Sequence, residues 1–293
     1  MKIVVLSGKG GTGKTSVAAS FAASLSENHK ILLVDADVDC PNEHLIFEGK
    51  EKGKKDVYAS KLAIVKKEIP YEKCEGICQF DAIKPVNGKA VVDVRACEGC
   101  GACTIACPDA FELKDIKSGE MIIYQGKKFN LVSGKLLPGE KNSGKVVHEI
   151  RKKADEIEEE ESIDVVLIDS AAGIGCPVIA SVMGCNYAIA VVEPTPASIS
   201  SVKRALEVVK HFAIPYAVVI NKVGISEENE DIIRKELGEN IIGEIPYDKE
   251  LPKLLASKIP PIKGKGKSAD ALRKISGNIE KIISEFRNSC AQP

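Results

Sequence analysis

Short apolar runs alternate along most of the chain with longer stretches whose apolar residues recur at helical spacing. Lys2-Ile3-Val4-Val5-Leu6 is a β-branched run closed by glycine, and Thr15 to Leu25 follows with helical spacing, which predicts strand, loop and helix. Ile31-Leu32-Leu33-Val34 ends at Asp35 and is apolar throughout, like a strand buried on both faces of a parallel sheet. The pattern breaks near Glu48, where the Lys- and Gly-rich stretch from Gly49 to Lys55 reads as an excursion from the main fold. Alternating segments at Met121 to Tyr124 and Lys128 to Val132 flank Gly126 and predict a hairpin within about 120–133, covering a sheet edge. A charged helix from about Val146 to Glu161 precedes a strand at Val165 to Asp169. Later strands fall at Ala188 to Val192 and Ala217 to Ile220, with a helix between them. A last helix, about Ala269 to Phe286, lines up Leu272, Ile275, Ile279, Ile282, Ile283 and Phe286 on one face. The expected fold class is α/β: a doubly wound, mostly parallel sheet with helices on both faces, interrupted by an inserted module.

Composition narrows the setting. With 44% hydrophobic and 28% charged side chains over 293 residues, the chain can bury a sizeable core. No run of eighteen apolar residues occurs and Met1 leads straight into a strand, so neither a membrane span nor a signal peptide is read and a cytoplasmic location is expected. A formal net charge of -1 gives no general attraction for nucleic acid or anionic lipid. Lys258, Lys263, Lys265 and Lys267 surround two prolines and read as a solvated loop, with DNA binding as the alternative. The last helix suits packing on the sheet better than a membrane tail. No nucleic-acid or membrane partner is therefore expected. Ten cysteines in such a chain point to metal or redox chemistry, and six of them crowd between Cys74 and Cys107.

Gly8-Lys9-Gly10-Gly11-Thr12-Gly13-Lys14-Thr15 matches the P-loop pattern and sits between the first strand and the first helix. Glycines let the backbone turn its N–H groups toward phosphates, and the helix N-terminus adds a favourable dipole. Lys14 is expected at the β- and γ-phosphates and the Thr15 hydroxyl at Mg²⁺. Gly8, Gly10, Gly11, Thr12, Gly13, Lys14, Thr15 and Ser16 form the expected nucleotide-binding set. Lys9 makes the loop more particular, because Lys-Gly-Gly-Thr-Gly-Lys-Thr resembles the deviant Walker A motif of the MinD, ParA, Mrp and nitrogenase iron protein superfamily. In chain order, Asp35-Ala36-Asp37 resembles switch I, and Asp169-Ser170-Ala171-Ala172-Gly173 resembles Walker B with switch II. The resemblance implies that Lys9 crosses to a partner subunit's phosphates in an ATP-bound dimer. It implies too that Asp37 orients the attacking water, and that Thr15, Asp37 and Asp169 serve Mg²⁺, partly through water. The implied catalytic residues are Lys9, Lys14 and Asp37. Asn221 is implied at the adenine and Pro246 in the segment lining the base, which favours ATP over GTP; a plain turn asparagine is the other reading of Asn221. Ala171 and Ala172 stand where close relatives carry two prolines, so binding is expected to survive while the stiffness of switch II differs.

Cys97-x2-Cys100-x2-Cys103-x3-Cys107-Pro108 is the bacterial ferredoxin spacing, in which the first three cysteines hold one cluster and the fourth turns to another. Cys78-Gln79 resembles the end of a first ferredoxin half, which makes Cys78 the fourth ligand. One 4Fe-4S cluster on Cys78, Cys97, Cys100 and Cys103 is expected. Zinc is the competing metal, though zinc sites usually pair two separate knuckles. Cys74 and Cys107 are left over, and a disulfide, free thiols or ligands shared with another chain all remain open. Cys176 resembles in position the bridging cysteine of the nitrogenase iron protein, while a buried free thiol is its plain reading. The whole chain thus resembles MinD-superfamily ATPases with an inserted α+β ferredoxin domain. The implied limits are 1–69 and 116–293 for the ATPase and 70–115 for the insert. A homodimer or a heterodimer with a paralogue is implied, acting on a redox partner or, alternatively, on a cluster-acceptor protein; spatial positioning is the third role such a fold serves.

Overall fold

The computed structural model describes residues 1–290. Strand β1 (Lys2–Ser7) enters the glycine-rich loop, and helix α1 (Lys14–Leu25) leaves it. Rich in alanine and buried almost all round from Val17 to Leu25, α1 owes its stability to packing rather than to an amphipathic stripe. β2 (Ile31–Ala36) is buried at every position. It leads through Asp37 to the short helix α2 (Glu43–Ile46) and to β3 (Gly49–Val57). β3 corrects the reading of Gly49 to Lys55 as an excursion from the main fold: it is the terminal strand of the large sheet. Its lysines and glutamates conceal strand character from a hydrophobicity pattern, yet charge suits an edge strand because it discourages further pairing.

Residues 56–119 together with 137–142 make a second compact unit, and the limits 70–115 lie within it. It is framed by β4 (Ser60–Val65) and β7 (Phe111–Ile116), antiparallel with Ser60 opposite Ile116 and Val65 opposite Phe111. Between them lie the hairpin β5 (Ile83–Val86) and β6 (Lys89–Val92), then helix α3 (Ala102–Ala106). The hairpin turns at Asn87-Gly88, both at positive φ, which is the backbone a tight two-residue turn requires. A small core gathers Ala63, Cys74, Ile83, Ala90, Cys103, Ala110 and Phe111. The later segment is stitched in by Leu137 N donating to Ser118 O at 2.9 Å and by Asn142 Nδ2 donating to Ser60 Oγ at 2.9 Å.

The chain resumes the large unit with β8 (Gly119–Gly126) and β9 (Asn130–Leu136), then α4 (Ser143–Glu161), β10 (Val165–Ala172) and α5 (Cys176–Val182). β11 (Tyr187–Val192), α6 (Pro196–His211), β12 (Tyr216–Val223), α7 (Glu227–Leu237), β13 (Ile241–Pro246), α8 (Leu251–Ala256) and α9 (Lys267–Cys290) complete it. The nine strands run in the order β13-β12-β11-β1-β10-β2-β9-β8-β3. Every pairing from β13 through to β9 is parallel. This is the doubly wound α/β sheet expected from the patterning.

Two registers position the site. Val5 lies beside Asp169 and Asp169 beside Asp35, so both acids reach the carboxyl end of the sheet next to the loop after β1. Val192 lies beside Ile220, which brings Glu193 and Asn221 to the same end. The order β11-β1-β10 places β1 where the chain's winding reverses, the location where open α/β sheets bind ligands. One face of the sheet packs on Phe21 and its neighbours from α1 and on Leu272, Ile275, Ile279 and Ile283 from α9. Among the described residues no helix is long and apolar enough to cross a membrane.

Phe21 is fully buried at the centre of that layer. Phe21→Ala should lower stability by about 3–5 kcal/mol. Urea unfolding followed by circular dichroism checks it; a loss below about 1 kcal/mol means that α1 does not anchor the sheet.

Candidate functional site

The glycine-rich loop is defined by what surrounds it. A Cβ on Gly8 would stand 2.1 Å from a backbone atom of Ser201 in α6, so only glycine lets the loop lie against that helix. Gly13 has φ +89° and a Cβ there would meet Asn221 Nδ2 at 2.3 Å, which excludes a side chain twice over. Asn221 Nδ2 donates to Thr12 O at 2.7 Å, so in this structure Asn221 holds the loop from β12. Thr12 Oγ1 is buried with no hydrogen-bond partner, a polar atom left for whatever occupies the loop. Ser16, in the first turn of α1, accepts the Ser20 hydroxyl at its carbonyl at 2.7 Å. Pro246 ends β13 opposite Val223, with its carbonyl accepting from Ser268 Oγ at 3.1 Å.

Lys14 and Thr15 both meet Asp169. Lys14 Nζ donates to Asp169 Oδ1 at 2.6 Å, and Thr15 Oγ1 donates to Oδ2 at 2.7 Å. Lys14 is 6% and Asp169 0% exposed. Despite burial, which works against an ammonium, the Asp169 charge holds Lys14 above its ordinary range. The hydroxyl and carboxylate oxygens side by side are the hard donors that Mg²⁺ takes, so this pair fits the ion. Ala171 and Ala172 leave the end of β10 able to pair, and Ala172 lies in register with Ser7; proline rings there would remove two donors.

Acid crowds this end of the sheet. Asp35, fully buried, accepts from the backbone of Asp37 at 3.3 Å, Asn42 at 2.9 Å and Glu43 at 3.1 Å, which folds the segment after β2 back over the strand end. Burial, then the charge of Asp169, push Asp35 up to about 7. Burial also raises Asp37, against the pull of Lys14. Glu43 was not foreseen: it is fully buried, neither carboxyl oxygen has a partner, and burial followed by the charges of Asp169 and Asp35 lifts it well above its ordinary value. Glu193 and Lys222 were also missed. Lys9 Nζ pairs with Glu193 at 2.8 Å, Lys222 Nζ pairs with Glu193 at 2.6 Å, and Lys222 Nζ donates to Gly11 O at 2.6 Å. Their place at the carboxyl ends of β11 and β12, the signal that singled out Asp35 and Asp169, was the clue available.

In the second unit, Cys78, Cys97, Cys100 and Cys103 line one cavity of about 360 Å³, together with Phe80, Ile83 and Ile105. Burial, then the neighbouring Cys97 thiol, raise Cys103. Among the described residues no three or more His, Cys, Asp or Glu side chains converge as the ligands of a metal ion. Cys74 and Cys107 belong to the same small core but do not line the cavity; their Sγ atoms lie 3.3 Å from Tyr71 O and 3.7 Å from Lys73 O. Cys176 is exposed at the start of α5, and Cys185 is buried with its thiol pushed up to about 11 by burial.

Comparison with known proteins agrees with this geometry. Residues 3–262 match the CobQ/CobB/MinD/ParA nucleotide binding domain. An uncharacterized protein of Methanocaldococcus jannaschii is 35% identical over 285 residues, covering 97% of this chain and 98% of its own. An iron-sulfur cluster carrier protein of Pyrococcus furiosus is 24% identical, covering 98% of this chain and 86% of its own. The septum site-determining protein MinD of Pyrococcus horikoshii, complexed with Mg-ADP, shares the fold with a TM-score of 0.60 at 19% identity, covering 96% of both chains.

Two outcomes follow from the geometry. A side chain at φ +89° costs about 1–3 kcal/mol in strain before any clash, so Gly13→Ala should weaken nucleotide binding at least roughly tenfold by titration calorimetry. Glu43 has a native pKa above its ordinary 4.5, so the native state holds a proton that the unfolded chain releases. Its contribution to stability therefore falls as pH rises above about 4.5. Glu43→Gln removes that loss, and its stability relative to wild type, measured by urea unfolding in a pH series, should grow with rising pH; a pH-independent difference contradicts the assignment.

Proposed function

The chain belongs to the CobQ/CobB/MinD/ParA nucleotide-binding domain family of P-loop ATPases. On that premise we propose that it hydrolyses ATP as a nucleotide-switched dimer and carries one 4Fe-4S cluster that passes electrons to a protein partner. The observation that carries the reading is the set of four thiols around one cavity in a chain that also holds a complete P-loop. A cubane presents its irons at separate corners, so its thiolates surround a volume instead of meeting at a point. That suits Cys78, Cys97, Cys100 and Cys103 better than a single zinc ion does.

At the nucleotide end, Lys14 and Lys9 oppose the charge of the β- and γ-phosphates, and the backbone after β1 cradles them. Thr15 and Asp169 would hold Mg²⁺, which would supply positive charge against the phosphate oxygens. Asp37 orients the water whose oxygen bonds to the γ-phosphorus as the bond to the ADP oxygen breaks. Asn221 ties the loop to β12 beside the position expected for adenine. In the second unit the four cysteines supply thiolates, and Phe80 and Ile105 border the cavity as apolar cover. The bound cluster supplies a one-electron couple.

A second reading, delivery of the cluster to an acceptor protein, is favoured by the relatives named iron-sulfur cluster carrier protein and by the exposed Cys176. Anaerobic purification with iron and sulfide analysis, then paramagnetic resonance after dithionite with and without Mg-ATP, separates the two. Electron transfer predicts four irons per chain and a reducible signal that changes with nucleotide. Delivery predicts loss of iron to an apoprotein acceptor. Cys78→Ala should lower bound iron while Cys74→Ala leaves it in place; zinc without iron overturns both readings.

A further inference from the structure

Glu193 joins the phosphate loop to the carboxyl end of β11, the strand beside β1. It follows β11 directly and its side chain is 9% exposed. One carboxylate oxygen meets Lys9 Nζ at 2.8 Å and the other meets Lys222 Nζ at 2.6 Å. The start of α6 fixes the acid in place: its backbone N–H donates to Ser198 Oγ at 3.1 Å, and Thr195 Oγ1 donates to its carboxylate at 3.4 Å. Although burial works against it, the ammoniums of Lys222 and Lys9 hold the Glu193 carboxyl below its usual range.

The two lysines it holds are not equivalent. Lys222 also donates to Gly11 O at 2.6 Å and sits at φ 62°, a backbone cost for a non-glycine residue that the surrounding contacts sustain. It is tied to the loop whatever happens at Glu193. Lys9, with its side chain 33% exposed, is ion-paired with Glu193. Lys14, by contrast, is fixed on Asp169 at 6% exposure. A phosphate group entering the loop offers Lys9 the same kind of oxyanion as Glu193, with more charge. The two partners therefore compete for one ammonium.

We infer that Glu193 is the resting partner of Lys9, a positioning residue that holds this lysine on its own chain until the phosphates of a nucleoside triphosphate, bound in a second copy of the chain, compete for it. The inference rests on the ATP-switched dimer proposed above. Removing the carboxylate charge while keeping its shape removes the competitor and releases Lys9 early.

The test is a double-mutant cycle on the full chain, using Glu193→Gln, Lys9→Ala and the double variant, each confirmed folded by circular dichroism. Sedimentation velocity with a non-hydrolysable ATP analogue and Mg²⁺ measures self-association, and calorimetry measures analogue affinity. E193Q should lower the protein concentration for half-association about two- to fivefold, the size of a partly exposed ion pair, and should change it less than about 1.5-fold when Lys9 is already alanine. Glu193→Asp, which keeps the charge but shortens its reach, should move in the same direction by less. An unchanged midpoint in E193Q, or an equal shift without Lys9, overturns the inference. If the wild type shows no analogue-dependent association, the dimer reading fails. The inference, which places those phosphates in a second copy, then falls with it, whereas analogue-dependent association with an unchanged E193Q midpoint overturns the inference alone.

Discussion

One buried ion pair, Lys14 with Asp169, organises the carboxyl end of the sheet. The ammonium faces Asp35, Asp37 and Glu43 as well as its direct partner, so a single positive charge stands among four acids with little water to screen them. Breaking a buried pair by removing one member leaves an uncompensated charge and is far costlier than the pair's net worth. The phosphate loop is consequently held from both sides. β10 grips its helical end through Lys14 and Thr15, and β12 grips its glycine turn through Asn221 and Lys222. A loop held in this way meets its ligand with much of the ordering cost already met by folding.

The acids around Lys14 are unequally satisfied. Glu43 has no hydrogen-bond partner at either oxygen, and Asp35 spends its acceptors on the backbone that folds over it. Such crowding of acids is relieved by a proton, as at Glu43, or by a cation that takes its place. The arrangement therefore stores a preference for bound positive charge that no single residue carries.

What was legible in the sequence follows from locality. The phosphate loop is eight consecutive residues, and β2 or β10 is a single apolar run, so each could be read in place. The cysteine spacing was equally local, and the three ligands it nominated, Cys97, Cys100 and Cys103, share a cavity with Cys78, which came from the resemblance and not from the spacing. Glu43 and Glu193 were invisible for the opposite reason. Their character comes from burial and from neighbours such as Asp169 and Lys9, more than a hundred residues away in the chain. β3 was misread because its lysines and glutamates carry no hydrophobic alternation, and β4 and β7 escaped because each is a short strand whose partner lies across the cysteine-rich stretch. Asn221 was recognised as important by its place after β12, but its bond to Thr12 O becomes visible only once both loops are at the same end of the sheet.

The second unit is assembled from two separate pieces, residues 56–119 and 137–142, with β8 and β9 of the large sheet between them. During synthesis its last piece emerges only after the hairpin of the other unit has been made. Neither unit can then be finished before the other has begun, and their order of maturation is interleaved along the nascent chain. The cysteine-bearing unit is therefore not a detachable cassette: a fragment cut at 70–115 would lack β4, the end of β7 and the segment that ties Ser60 to Asn142.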